Sequence, residues 1–206
     1  MVYRLSVARP NFLFIITDQH RADHLGCYGN RLVRTPHIDA LATQGRRFER
    51  CYVTNPICMP NRAAMLTGRM PSVNGVRHNG VPLPLGAVTF PEVLRRAGYR
   101  TACFGKWHLG FGAKTPDWNG ELKPGPLELG FDTFFGVPVV NSHPPFVWVE
   151  DRRVVGLVAD DPLIYDQPAE TRVFPEKMGL RQIGGGKAAH ALYDDEQVGT
   201  RLAEKS

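Results

Sequence analysis

Cys58 is the side chain in this sequence best placed to act as a nucleophile. It stands in Asn55-Pro56-Ile57-Cys58-Met59-Pro60-Asn61-Arg62-Ala63-Ala64-Met65-Leu66-Thr67-Gly68-Arg69, a C-x-P-x-R pattern that runs through small residues into T-G-R. Pro60 suits the first turn of a helix, where its missing N–H costs nothing. The side chain at 58 then faces the free amides and positive dipole end of that helix, a ready place for an anion. Arg62, one turn on, points back toward the same spot. A lone cysteine beside a turn reads equally as a packing residue, and it is the surrounding pattern that favours chemistry. Two more polar groups follow apolar runs: Asn11–Thr17 breaks into Asp18-Gln19-His20-Arg21, and Tyr99–Phe104 into Gly105-Lys106-Trp107-His108. Taken singly, an aspartate at such an end is a turn residue, and a histidine there is a surface residue.

The elements that must position these residues alternate. Asn11–Thr17 is a short continuous apolar run, the mark of a strand buried on both faces. Thr35-Pro36 opens a helix that Gly45 closes. Phe48–Val53 reads as a second strand, leading into the Cys58 loop and helix. Thr89-Phe90-Pro91-Glu92 is a capping box, with Gly98 ending its helix, and Tyr99–Phe104 is a third strand. Strands alternating with helices imply an α/β fold with a parallel sheet, whose ligands bind beyond the carboxyl ends of the strands. Asp18, Cys58, Lys106 and His108 fall in segments that can meet there, around one site for an anion.

The second half is less regular. Phe111–Gly130, rich in Gly, Pro and Trp, reads as a long surface loop; Phe131–Val140 is apolar and glycine-broken; Asn141–Pro145 is a turn; Arg152–Arg172 is an excursion with short strands at most. Gly184-Gly185-Gly186-Lys187 lacks the spacing of a phosphate loop and reads as linker. Tyr193–Ser206 begins a helix with acidic residues first, basic ones later, and Val198 and Leu202 one turn apart. Nothing caps its end, as expected of a fragment that stops inside a longer chain.

With 206 residues, 43% apolar and 22% charged, the composition is that of one globular domain. A net charge of +5 mildly favours anionic substrates and serves solubility as well. The basic residues are scattered, so no nucleic-acid partner is expected. No apolar stretch reaches the length of a membrane span. Met1–Pro10 lacks the apolar core of a secretory signal, so the chain as given is expected to be cytoplasmic, or periplasmic or secreted if its start has been trimmed. The four cysteines, Cys27, Cys51, Cys58 and Cys103, are expected to be reduced thiols, with Cys27, Cys51 and Cys103 as packing residues. No C-x-x-C pair supports zinc.

The Cys58 run resembles the signature of the sulfatases, and the resemblance extends along the chain. Pro10–Arg21 is similar to the family's first strand and first metal ligands. Leu25-Gly26-Cys27-Tyr28-Gly29 and Thr35–Ala42 resemble the two segments that follow. Gly105-Lys106-Trp107-His108-Leu109-Gly110 resembles the family's G-K-W-H-L-G run, and Gly130–Gly136 a later landmark. The resemblance implies an alkaline-phosphatase-like three-layer α/β sandwich with a mostly parallel sheet. Residues 1–206 would form the N-terminal part of its catalytic domain, the remainder and a C-terminal subdomain being absent.

The activity it implies is hydrolysis of sulfate esters of a carbohydrate or small aromatic alcohol. Cys58, converted to formylglycine by the formylglycine-generating enzyme, would supply a hydrated aldehyde as nucleophile, in covalent catalysis. Asp18, Gln19 and Cys58 would bind a divalent metal, usually calcium, suited to oxygen ligands. Arg62 would hold the modified residue and offset its charge, Lys106 would bind a sulfate oxygen, and His108 would hydrogen-bond the hydrate or move its proton. Asn79 would contact the sulfate or the modified residue, or simply belong to a loop; Ser142 resembles a substrate-contacting serine at altered spacing.

Where many sulfatases carry a second aspartate this chain has Gln19. That Asp-Gln pair also occurs in choline sulfatases and phosphonate monoester hydrolases, so a phosphonate monoester or phosphodiester hydrolase stays open. The family's remaining metal ligands and a further sulfate-binding lysine and histidine are expected beyond Ser206. Neither Asp160-Asp161 nor Asp194-Asp195 replaces them. An inactive fragment or anion-binding pseudoenzyme is the third reading.

Overall fold

A computed structural model describes residues 9–112, 116–139, 145–160, 162–163 and 192–206. The chain divides into two compact units, Met1–Tyr52 and Val53–Ser206. No helix of the described residues is long and apolar enough to cross a membrane.

The first unit holds two short 3-10 turns, Ala22–His24 and Gly26–Tyr28, and helix α1, Pro36–Gln44. The helix starts and stops where Thr35-Pro36 and Gly45 predict, but Thr35 does not cap it with its side chain. Its hydroxyl instead accepts the Gly26 N–H and donates to Asp39, whose carboxylate also takes the Cys27 N–H at 2.6 Å. The helix is thereby stitched to the turn before it. Arg47 closes the same turn from the other side, donating to the Cys27 carbonyl and lying 5.1 Å over the Tyr28 ring.

The expected strands of this unit are not found. Residues 11–17 and 48–53 have no regular structure, and Phe12, Leu13, Ile15 and Tyr52 are 64%, 85%, 68% and 85% exposed. A strand exists through its ladder, and none of the described strands pairs with either segment. An apolar run specifies the wish for two covered faces, not the neighbours that cover them. Cys51, exposed among these residues, is a surface thiol and not a packing residue.

The second unit carries helices α2, Cys58–Thr67, α3, Pro71–Asn74, α4, Phe90–Arg96, and α5, Val198–Lys205. Its sheet runs in the order β1, Ala102–Lys106; β2, Thr133–Val137; β3, Val149–Glu150; β4, Arg153–Val154. The β1–β2 pair is parallel, and β3 and β4 extend it antiparallel, so the α/β fold has a mixed sheet. Thr89 starts α4 as predicted, accepting the Glu92 N–H at 3.3 Å and donating to the Leu129 carbonyl at 2.6 Å. Beyond that helix the chain turns at Gly98, in the left-handed region, with the Tyr99 N–H still reaching the Leu94 carbonyl. That turn takes up Tyr99 and Arg100, so β1 begins later than the apolar run predicts.

The described part of 111–130, expected as a surface loop, instead contributes several side chains to the core. Phe111, Trp118, Leu122 and Leu129 are buried. Phe111 meets Trp118 and Phe134 edge-on, and Trp107 meets Phe131 and Phe134 in the same way. Aromatic rings packed at these angles contribute about 0.5–1.5 kcal/mol per pair beyond their area, and they need no helical or strand period. The final helix does match its prediction. Val198 and Leu202 pack with Tyr193 against Phe135, Val137 and Trp148, and Lys205 pairs with Glu150 at 2.9 Å. All of the predicted turn Asn141–Pro145 except Pro145, Ser142 included, and the glycine run at 184–187 lie outside the described residues.

Candidate active site

Helix α2 begins at Cys58 because Pro60 fits its first turn and the Ile57 carbonyl accepts the Asn61 N–H at 2.9 Å. Asn55 shapes the approach, its side-chain oxygen accepting the Ile57 N–H at 2.9 Å. Helix starts leave amides to be satisfied, and here most are already used. Met59 N–H donates to Asn79 Oδ1 at 3.1 Å, Pro60 has none, and Asn61 is bonded within the helix. The Cys58 amide is therefore the first-turn N–H left for a ligand among the described residues. An anion placed there would be drawn by the dipole and by cations rather than by a nest of free amides.

Those cations come from α2 itself and from β1. Arg62, on the Cys58 face one turn along, donates Nη1 to the Lys106 carbonyl at 2.8 Å. That bond sets the carboxyl end of β1 beside the first turn of α2. Lys106 is the last residue of β1, opposite Val137. Two further backbone bonds, Trp107 N–H to Val137 and His108 N–H to Pro138 at 2.8 Å, carry the pairing past the strand. Trp107 turns into the core and donates its indole N–H to the Gly110 carbonyl at 2.8 Å. Between that anchor and buried Leu109, His108 takes φ 54°, left-handed for a non-glycine residue, with Nδ1 buried. Strain of this kind costs about 1–3 kcal/mol and persists only where neighbours impose it.

Two glycines let the strands come this close. Gly105 and Gly136 are register partners, and a Cβ at 136 would meet the Gly105 carbonyl oxygen at 1.8 Å. The thiol behind this pair, Cys103, is pushed up to about 12 by burial, with Arg62 pulling only partly the other way. Cys103, itself half-buried by surface, is thereby held as the thiol rather than the thiolate.

The second unit thus gathers Cys58, Arg62, Asn79, Lys106 and His108. Asp18 and Gln19 belong to the first unit, where Asp18 is exposed and its Oδ1 accepts the Gln19 N–H at 2.9 Å. Both are oxygen donors of the right hardness for calcium, which takes 6–8 such ligands. Among the described residues no group of three or more His, Cys, Asp or Glu could hold a metal. These residues do not by themselves fit a complete metal site. Local spacing does not reveal the Asn79 contact, which spans twenty residues, nor the anchoring role of Trp107.

A family model described as sulfatase matches residues 10–155. The chain belongs to the sulfatase family. It is 34% identical to an N-acetylgalactosamine-6-O-sulfatase of Bacteroides thetaiotaomicron, covering 96% of this chain and 44% of that protein. With human arylsulfatase A it shares 42% identity over 68% of this chain and 28% of that protein. A solved structure from the metabolism of multiple glycosaminoglycans by B. thetaiotaomicron superimposes with a TM-score of 0.75 at 32% identity, covering 88% of this chain and 44% of that one. Another, in complex with its substrate D-glucosamine-2-N,6-O-disulfate, gives a TM-score of 0.58 at 33% identity over 71% and 27%. The chain therefore spans less than half the length of these relatives. These neighbours carry the alkaline-phosphatase-like α/β fold of the sulfatases.

Proposed function

We propose that this chain supplies one side of the active site of a sulfatase that hydrolyses sulfate esters of a carbohydrate, through formylglycine formed at Cys58. The observation that carries the reading is the bond from Arg62 to the Lys106 main-chain carbonyl, which ties the carboxyl end of β1 to the helix that opens with Cys58. Relatives named for 6-O-sulfates of N-acetylgalactosamine and N-acetylglucosamine support the carbohydrate class. When formed by its generating enzyme, formylglycine would supply a hydrated aldehyde. One hydroxyl would attack sulfur as the S–O bond to the alcohol breaks and the alcohol leaves protonated, and loss of the other hydroxyl's proton would expel sulfate and restore the aldehyde. An unmodified thiol lacks that second hydroxyl.

The chain's own residues would bind and orient. Lys106 holds a sulfate oxygen as a compact charge, aided by the Cys58 amide and the dipole of α2. Arg62 offsets negative charge at residue 58 and keeps the end of β1 in place. His108 moves a proton at the imidazole. Ser142 would add a substrate contact, and Asp18 with Gln19 would supply oxygens to a divalent cation.

The test is a parallel assay of the full-length protein on an N-acetylhexosamine 6-sulfate, an aryl sulfate and a phosphonate monoester. Turnover of the sulfated sugar above the other two supports the reading. Preferred turnover of the phosphonate would assign the site, with its Gln19, to phosphonate or phosphodiester hydrolysis. Cys58→Ala is expected to lower kcat at least ~1000-fold, as loss of a covalent nucleophile does; near-normal turnover would exclude Cys58 as the reacting residue.

A further inference from the structure

Helix α2 has an N-terminus that its own flanking residue cannot cap. Ile57 occupies the N-cap position and makes no side-chain bond there, and residues of its type are among the poorest caps. The amide of Met59 is met from elsewhere in the chain, by Asn79 Oδ1 at 3.1 Å. The next residue, Gly80, donates its N–H to the Met59 sulfur at 3.0 Å. Met59, buried and adjacent to Cys58, is thus gripped at backbone and side chain by two consecutive residues of one loop.

That loop continues to the other half of the site. Leu83 donates its N–H to the Leu109 carbonyl at 3.1 Å. Pro82 lies so close to Gly110 that a Cβ there would come within 2.6 Å of the Pro82 Cβ. Residues 79–83 therefore run from the first turn of α2 to the segment that carries Lys106 and His108.

We infer that Asn79 is a positioning residue, whose amide oxygen caps α2 and, through the 79–83 strap, fixes Cys58 relative to Lys106 and His108. The expectation from sequence gave Asn79 a contact with the sulfate or the modified residue, or simply a place in a loop. With its oxygen on the Met59 amide, Asn79 acts on the reaction through the placement of residue 58, and a donor contact from its NH2 group to sulfate is the alternative that the variants below separate. A displacement near 1 Å at a reacting group costs about 100-fold in rate. The catalytic consequence rests on the sulfatase reading above, whereas the cap does not.

Asn79→Ala and Asn79→Asp in the full-length protein, with formylglycine formed, separate the two roles. Asparagine and aspartate cap helices equally well, and alanine does not. Hydrogen exchange over 57–67 is read alongside kcat and KM on a sulfate ester. Positioning predicts faster exchange at the start of α2 in Asn79→Ala and a kcat about tenfold to a hundredfold lower, with KM changed less than about threefold. Asn79→Asp then restores the exchange protection and has a higher kcat than Asn79→Ala. The inference is overturned if exchange in Asn79→Ala matches the wild type. It is equally overturned if KM carries the loss and Asn79→Asp is the worse variant, since a carboxylate would repel sulfate. Should Asn79→Ala fail to fold, Asn79→Ser, one bond too short to reach Met59, takes its place. If the wild type hydrolyses no sulfate ester, the functional reading fails while the exchange measurement still decides the cap.

Discussion

Gly136→Ala is the smallest change that should both unfold and misalign the site. The added Cβ would lie 1.8 Å from the Gly105 carbonyl oxygen, 2.7 Å from its carbon and 3.0 Å from its nitrogen. All three atoms are backbone of the partner strand, so no side chain can rotate away. Strand β1 would have to retreat by roughly 1.2 Å to bring the closest contact to 3.0 Å, a quarter of the ~4.8 Å between strands. Overpacking costs about 1–3 kcal/mol, and each strained ladder bond about 1 kcal/mol more. A loss of about 3–5 kcal/mol lowers Tm by about 6–20 °C for a chain of this size. Because Lys106 follows Gly105 directly, the same shift should lower kcat by about tenfold or more well below Tm. Circular dichroism melts and sulfate-ester kinetics on the same preparations measure both. A Tm within about 2 °C of wild type and unchanged kcat would refute the claim that this glycine pair sets the position of Lys106.

Burial holds the Cys103 thiol up at about 12, whereas Cys51 is exposed. Iodoacetamide near pH 8 should label Cys51 and spare Cys103 until denaturant is added; equal labelling by peptide mass mapping would contradict the packing of β1. For Glu128, burial raises the carboxyl pKa, but hydrogen bonds from Arg152 at 2.7 Å and the Gly125 N–H at 2.8 Å outweigh it and hold it lower than usual. A depressed folded value means this stability is present above the unfolded carboxyl range near 4.5 and is lost as pH falls through the folded value. Glu128→Gln should therefore cost about 1 kcal/mol at neutral pH and flatten the acid limb of a urea-midpoint profile; an unaltered limb would remove Glu128 from it. Leu202→Ala, at the contact of α5 with Phe135 and Trp148, should cost about 1–2 kcal/mol for a half-buried side chain and expose residues 192–206 to limited proteolysis. Unchanged cleavage would show that α5 does not hold there through Leu202.

What was legible in the sequence was local. Pro60 marks the first turn of α2 and Thr89 caps α4, because caps and first-turn prolines act within a few residues of themselves. Val198 and Leu202 gave the docking face of α5 by spacing alone. The Asn11–Thr17 run announced a strand, but pairing depends on neighbours that its own residues do not encode. Phe111, Trp118 and Leu122 looked like loop because edge-to-face packing follows no period. Arg62 and Lys106 could be placed on two element ends; that their backbone and side chain bond to each other depends on how β1 meets α2. The cap from Asn79 was the least legible, since one amide oxygen twenty residues away carries no pattern.

The most direct test of the central claim is the mass of the tryptic peptide Cys51–Arg62 from full-length protein made with the formylglycine-generating enzyme. The account predicts a species in which Cys58 has exchanged its sulfur for an aldehyde oxygen, reactive toward hydrazides, while Cys51 in the same peptide keeps its thiol. A peptide with both thiols intact, from protein that hydrolyses sulfate esters at full rate, would contradict it.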